Sequence, residues 1–380
     1  MLLPRYGSGA LSDVVPSLLA GLGVPGMTAT LDLPQVRKVC LLLVDGLGWE
    51  LLRQFPEDAP TLTGMAGSSI TAGFPATTGT SLATIGTGMP SGEHGVVGLS
   101  FAASADQMIN VLQWTQHAAG KHVDLRDQFV PEEFQPLPTT FMRAADAGVT
   151  VHLVTDASFQ SSGLTRAVLR GGSYDGVFAL GDLAAKAIAA LRSADRAFCY
   201  GYHSQLDLLG HIYGPGTEDW RYQLRQVDRL VATIAAELPS DGLLVVTADH
   251  GMVEVGDADK IDYDTTPELQ DGVRMLGGEP RARHVYVSEG ALDAVLTAWR
   301  SVLDSRAWVA TRDEAIEAGW FGPVVTDRAR ARIGDLVVAA QDTSVVVRSG
   351  VEPMLTRLAG QHGSLTAAEQ LIPLLTLSHG

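Results

Sequence analysis

Cysteine is almost absent: of 380 residues only Cys40 and Cys199 carry thiols. They lie far apart, each inside an apolar run (VCLLLVDG and AFCYGYH), which excludes a disulfide scaffold. Two buried thiols in a reducing compartment is the simpler expectation, with one long-range bridge as the alternative. Positive charge is scarce as well, with 27 Lys and Arg against 43 Asp and Glu and a net charge of −16. A field of that sign disfavours nucleic acid or an anionic membrane as the main partner. It leaves room for a small anionic substrate, because a bound divalent cation outweighs distant charges locally. Long apolar runs are missing too. The N-terminal stretch is interrupted by Pro4, Ser12, Asp13 and Pro16 and reads neither as a secretory signal nor as a membrane span. The expectation is a soluble, cytoplasmic protein. Its oligomeric state is not legible.

What is present is core material. Apolar residues make up 46% of the chain and charged ones only 18%, so wholesale disorder is excluded. Short runs rich in β-branched or aromatic residues predict strands at Lys38–Val44, Ser69–Phe74, Val149–Val154, Ala197–Tyr202 and Leu243–Thr247. They lack polar alternation, as strands of a sheet covered on both faces do. Helix-like stretches lie between them at Thr139–Ala147, Gly181–Ser193 and Asp219–Glu237. The rhythm predicts an α/β fold: a doubly wound, mostly parallel sheet with helices on both faces and ligands at the carboxyl ends of its strands. The stretch 256–341 reads as a smaller α+β insertion or cap, with a strand at His284–Val287, a helix at Ala291–Leu303 and a strand at Asp335–Ala339. That leaves 1–255 and 342–380 as the α/β core.

Five islands of polar chemistry interrupt these patterns. Asp45 ends the first strand in LLLVDGLG, where Gly46 and Gly48 let the backbone turn around a ligand; a turn-forming aspartate is an equal reading. In FPATTGTSLATIGTGMPSGEHG a strand passes through Pro75 into Thr77-Thr78-Gly79-Thr80-Ser81 at a helix start. A hydroxyl there sits where free N–H groups stabilise an anion, although Thr and Ser are also ordinary N-caps. Asp207 and His211 stand at i and i+4, so carboxylate and imidazole share one helix face at metal-ligand spacing. Asp249-His250-Gly251 follows the apolar strand LLVVTA, and burying that pair requires a partner such as a metal. His362, between Gly360 and Gly363, would pass alone for a surface histidine.

Taken together and in this order, the islands resemble the alkaline phosphatase superfamily, and within it the nucleotide pyrophosphatase/phosphodiesterase branch, from about Val39 to Gly363. The most specific segments are Asp207 to Pro215 (D-x-x-x-H-x-x-G-P) and Asp249 to Met252 (DHGM). The resemblance implies the alkaline phosphatase-like fold and two divalent ions about 4 Å apart. Zinc best suits the mixed N/O ligands, with manganese or iron as alternatives. Carried over residue by residue, one ion falls to Asp207, His211 and His362. The other falls to Asp45, Asp249 and His250, with the nucleophile hydroxyl as a further ligand.

The family's F-P-S/T-x-T pattern, laid on Phe74 to Thr78, makes Thr78 the nucleophile. Ala76 departs from that pattern, and Thr77 and Thr80 are the fallback positions. Ser81 stands where the family often has an asparagine that binds a phosphoryl oxygen, and its hydroxyl has shorter reach. His94 matches a histidine of the family's S-H-G segment and is read as structural. The implied activity is metal-dependent cleavage of phosphodiester or nucleotide pyrophosphate bonds through a phospho-threonine intermediate, on a small-molecule substrate. Alternatives on the same site are phosphonoacetate hydrolysis and phosphomonoester hydrolysis. A catalytically silent metal- or nucleotide-binding module is the alternative of another class. A sulfatase ranks lower for want of a C/S-x-P-x-R segment. Trp49, Phe101, Trp114, Phe159 and Tyr213 are aromatics that could line a base-binding slot, and none is assigned that role.

Overall fold

The computed structural model describes residues 1–117 and 123–378. At its centre is a seven-stranded sheet ordered Ala66–Thr71, Leu371–Ser378, Gly242–Thr247, Lys38–Val44, Ala197–His203, Thr150–Asp156 and Ser173–Val177. Lys38–Val44 pairs in parallel with both of its neighbours, and Thr150–Asp156 pairs in parallel with both of its own. Leu371–Ser378 alone in this sheet runs against its neighbours. From Val39 to Val44 every residue of the middle strand is buried. Only a sheet covered on both faces buries both sides of a strand, which is why the run carries no polar alternation. Helices Leu180–Arg192 and Glu218–Ala236 supply part of that cover. This is the doubly wound α/β sheet expected from the sequence.

The edge strand expected at Ser69–Phe74 lies instead at Ala66–Thr71, because residues 72–77 carry the chain over the sheet end toward the helix Thr78–Thr87. Four strands within 256–341 form a separate antiparallel sheet: Val273–Glu279, Ala282–Val287, Leu336–Ala340 and Ala307–Thr311, in that order. Its faces are used differently. Leu336, Val338 and Val285 pack with Trp299 and Leu303 of the helix Leu292–Leu303, whereas Val337, Ala339 and Ala282 join the main core. The period-two alternation thus fastens this sheet to the body. Cys40 and Cys199 are register partners on adjacent strands, and both are buried free thiols. Among the described residues no helix is long and apolar enough to cross a membrane.

Candidate metal centre and active site

Three neighbouring parallel strands release their acidic residues at one edge of the sheet. Asp45 follows Lys38–Val44, Asp249 and His250 follow Gly242–Thr247, and Asp207 lies in the helix Gln205–Tyr213 just after Ala197–His203. That edge is where parallel α/β sheets bind ligands. Close backbone approach brings the groups together. A Cβ on Gly46, which has φ of +72°, would lie 3.0 Å from Asp207 Cα. A Cβ on Gly360 would lie 2.4 Å from the Gly210 carbonyl oxygen. Gly46 lets the turn after Asp45 lie against Asp207, and Gly360 lets the helix bearing His211 lie against the segment bearing His362.

All six expected ligands converge. Asp207, His211 and His362 each place one ligand atom within 4.8 Å of the others, and so do Asp45, Asp207 and His250. Asp207 therefore belongs to both groups, whereas the resemblance gave it to one. Asp249 stands at the second group through Oδ2, 3.3 Å from His250 Nε2.

The hydrogen-bond polarity of this cluster is one-sided. The Nδ1 atoms of His211, His250 and His362 contact the carbonyl oxygens of Gly360, Gly251 and Ala76 at 2.7, 3.0 and 2.9 Å. A carbonyl only accepts, so each Nδ1 carries the hydrogen and Nε2 is the atom each ring has left for a cation. Backbone carbonyls orient metal-binding histidines in this way. Asp45 Oδ1, Asp207 Oδ1 and Asp249 Oδ2 are buried without any hydrogen-bond partner. Three buried carboxylate oxygens without hydrogen-bond partners, gathered beside three imidazole Nε2 atoms, make a costly arrangement unless cations occupy it. The donor set fits one or two divalent metal ions of zinc type.

Charge crowding is visible in the acid–base behaviour. Burial, then the Asp249 and Asp207 charges, push the Asp45 carboxyl well above the usual carboxylate range. Burial also pushes Asp207 upward, but the adjacent His211, His362 and His250 outweigh it and hold the group below its ordinary value. His362 is held well below the ordinary imidazole value by burial and by His250. Its ring stacks on that of His250 with centroids 3.5 Å apart and planes at 15°.

Thr77 is the N-cap of helix Thr78–Thr87, and its side chain makes no capping bond. Thr78, the first helical residue, places Oγ1 3.3 Å from His250 Nε2. Of the two threonines it is Thr78 whose hydroxyl the cluster meets. Thr80 is turned away, donating to the Val96 carbonyl at 3.1 Å. Ser81, expected at a phosphoryl oxygen, is engaged within the protein. Its buried hydroxyl donates to the Asp249 carbonyl at 2.9 Å, so it braces the loop of a ligand and is not free to meet a phosphoryl oxygen. His94 is fully buried against Thr84 Oγ1 at 3.2 Å and accepts from the Val96 N–H, apart from the cluster.

Sequence reasoning missed three supports. Tyr202 donates its hydroxyl to Asp45 Oδ2. Arg281 forms a bidentate pair with Glu369 at 3.0 and 2.6 Å, both side chains fully buried, and Glu369 accepts the Ser364 N–H next to the His362 loop. Glu279 ends strand Val273–Glu279 and lines a cavity that reaches Thr78. The one available signal was the charge-rich strand segment EPRARH, too polar for a strand unless its charges are paired.

Two cavities meet at the cluster, sharing Thr78, Leu112, Asp207 and His211. One, about 580 Å³, extends past Glu279, Asn110, Gln116 and Glu352. The other, about 300 Å³, is walled by Leu82, Phe159, Leu164 and Tyr202. Of the aromatics considered for a slot, Phe159 lines this smaller cavity, while Phe101 and Trp114 are fully buried in the core.

The fold is that of the alkaline phosphatase superfamily. Residues 39–365 match the family model described as type I phosphodiesterase / nucleotide pyrophosphatase, and the chain belongs to that family. It is a phosphoester hydrolase. A search of curated protein sequences finds no match. Among solved structures, an inactive variant of murine ectonucleotide pyrophosphatase / phosphodiesterase 5 in complex with AMP superposes with a TM-score of 0.68 at 18% identity, covering 90% of this chain and 88% of that one. The human counterpart gives 0.67 at 18% identity over 90% and 88%. Phosphonoacetate hydrolase from Sinorhizobium meliloti 1021 in complex with phosphonoformate gives 0.67 at 20% identity over 90% of each chain. At these identities the likeness is one of fold.

Proposed function

We propose that the protein cleaves phosphodiester or nucleotide pyrophosphate bonds of small molecules, using Thr78 as nucleophile and two divalent cations, most simply zinc. Asp207, His211 and His362 would hold one cation, and Asp45, Asp249 and His250 the other, with the Asp207 carboxylate near both. The observation that carries this reading is the position of the Thr78 hydroxyl, at a helix start, 3.3 Å from a ligand imidazole and at the junction of two cavities. When bound, the cations would acidify the threonine hydroxyl and neutralise phosphoryl charge.

The chain's own residues do the rest. Thr78 Oγ1 forms a bond to phosphorus as the bond to the leaving oxygen breaks, and the departing alcohol or phosphate takes up a proton. Water then cleaves the phospho-threonine, so two inversions leave the configuration at phosphorus retained. The first N–H groups of the helix, which have no intrahelical partners, face an anion with the positive end of the helix dipole. Ser81 acts on this step only by holding the Asp249 loop.

Two cavities that both reach the threonine favour a phosphorus that carries two arms, hence a diester over a monoester or phosphonoacetate. The smaller cavity, with Phe159 and Tyr202, suits a planar or apolar arm. The test pairs zinc quantification with hydrolysis of bis-p-nitrophenyl phosphate and of p-nitrophenyl phosphate. Preferential cleavage of the diester, abolished in Thr78→Ala with zinc retained, is the expected result. Faster cleavage of the monoester would make the protein a phosphomonoesterase, and bound zinc with neither ester cleaved would favour the silent module.

A further inference from the structure

The smaller cavity is more apolar than the chemistry at Thr78 requires. Outside the cluster of proposed cation ligands, no carboxylate, carboxamide or basic side chain lines it. Leu82, Leu164 and Leu169 are its buried lining, while Leu112, Phe159 and Leu208 are open to solvent at 41, 38 and 50% exposure. Ile212, one helical turn beyond Leu208 on Gln205–Tyr213, is 49% exposed and extends the apolar surface along the helix. Exposed leucines scattered singly need no explanation, but an apolar patch gathered at a cavity does.

Two rival occupants fit less well. A planar base stacks on aromatic faces and hydrogen-bonds at its edges. Phe159 and Tyr202 lie against each other at 57° with centroids 6.4 Å apart, so the pair closes on itself and frames no slot. The hydroxyls of Ser162 and Thr165 are bonded to each other at 3.0 Å, and that of Tyr202 to Asp45. The carboxamides of Asn110, Gln113 and Gln116, which could read a base edge, line the larger cavity instead. A partner protein seated in the smaller cavity would cover Thr78, which is part of its wall.

We propose that the smaller cavity receives a flexible hydrocarbon arm of the substrate, an alkyl or acyl chain, which passes between Leu112, Phe159 and Leu208 toward Ile212. The inference rests on the phosphodiesterase reading for a phosphorus held at Thr78, and it assigns a chemical class to one of the two arms. The side chains that meet the chain are open to solvent at the entrance, so it reaches them without rearrangement of the protein. Each methylene that leaves water for such a surface is worth about fourfold in affinity. A jointed chain also follows an irregular apolar wall that a rigid ring would bridge, which is what leucines on three separate segments, 112, 164–169 and 208, provide.

A binding measurement separates this inference from turnover. Zinc-loaded full-length protein carrying Thr78→Ala is titrated calorimetrically with methyl phosphate, hexyl phosphate and AMP, first alone and then with Leu208→Gln or Phe159→Gln added. Hexyl phosphate should bind at least about tenfold more tightly than methyl phosphate, and more tightly than AMP. Either added substitution, each at a solvent-exposed position that tolerates a polar side chain, should cut the hexyl-to-methyl ratio at least about threefold. Hexyl phosphate that binds no better than methyl phosphate, or a ratio untouched by both substitutions, overturns the proposal. AMP bound more tightly than hexyl phosphate would assign the cavity to a base and likewise overturn it. Methyl phosphate binding with no gain from the chain would leave the phosphodiesterase reading standing without this one. A chain preference that depends on Leu208 and Phe159, in a protein whose parent cleaves no ester, would defeat the catalytic reading and leave this one standing.

Discussion

His211 and His362 face each other through their Nε2 atoms at 3.2 Å, while the Nδ1 atom of each is tied to a backbone carbonyl. With Nδ1 committed on both rings, Nε2 is the atom each has left to face a cation, and the Asp207 charge that draws the His211 imidazole above its ordinary value would equally draw a cation there. Stability should therefore depend on metal. With free zinc a hundredfold above its dissociation constant, linkage adds about 2.7 kcal/mol for one site. Chelation should lower the melting temperature by roughly 3 °C for each site emptied. Differential scanning calorimetry with and without chelator checks this, and an unchanged transition would argue against resident cations.

Tyr202→Phe tests the support beneath Asp45. The phenol hydroxyl is the hydrogen-bond partner of Oδ2, so its loss frees the carboxylate to turn away from the cluster. Removing such a support typically weakens metal binding about 10- to 100-fold. Competition against a chromophoric chelator should register that loss with little change in secondary structure by circular dichroism.

Arg281→Met breaks the buried ion pair that anchors the segment next to His362. Glu369 would be left buried and charged, a defect that costs about 3–5 kcal/mol. Urea denaturation should show it as a lowered midpoint. Because Glu369 also accepts the Ser364 N–H, zinc affinity should fall as well. A fall in stability with zinc affinity unchanged would show that the pair does not position His362.

Ser81→Ala separates a brace from a substrate contact. Losing the bond to the Asp249 carbonyl should cost about 1 kcal/mol of stability. Activity on bis-p-nitrophenyl phosphate should fall less than about tenfold, whereas Thr78→Ala should fall by at least about a thousandfold. Equal losses in the two variants would return Ser81 to the reacting centre.

Glu279 sets a pH dependence of known sign. Its folded value of about 8 lies above the ordinary glutamate value of 4.5 because burial disfavours the charged form. The folded protein holds this proton over that window and the unfolded chain does not. The contribution of Glu279 to stability is therefore complete below the unfolded value and is lost as pH rises toward 8, by up to about 1.4 kcal/mol per unit. Glu279→Gln should become progressively more stable relative to wild type between pH 5 and pH 8. A constant difference across that range would mean that the carboxyl titrates normally.

Much of the fold was legible because buried parallel strands have a plain signature. KVCLLLV, AFCYGYH and GLLVVT are unbroken apolar runs ending in polar residues, and each lies within one or two residues of its expected span. Strands that broke the pattern were missed. Ser173–Val177 is a sheet edge carrying Asp175 and Gly176, both poor strand formers. Leu371–Ser378 carries Pro373, which is tolerated because the ladder to Gly242–Thr247 begins only at Leu374. The proposed ligand residues were readable from strand ends and from the i, i+4 pair, and His362 only through family resemblance. The bond from Ser81 to the Asp249 carbonyl was not legible, because sequence offset does not reveal which way a helical hydroxyl turns. Tyr202, Arg281 and Glu279 act through contacts between residues distant in sequence, and no local spacing encodes those.

The measurement that bears most directly on the central claim is zinc bound per chain at saturation, by equilibrium dialysis and mass spectrometry, for wild type, Asp45→Ala, His362→Ala and Thr78→Ala. About two ions per chain are expected in wild type and Thr78→Ala, and about one or fewer in the two ligand variants. Substoichiometric zinc in wild type, or a stoichiometry indifferent to Asp45 and His362, would contradict it.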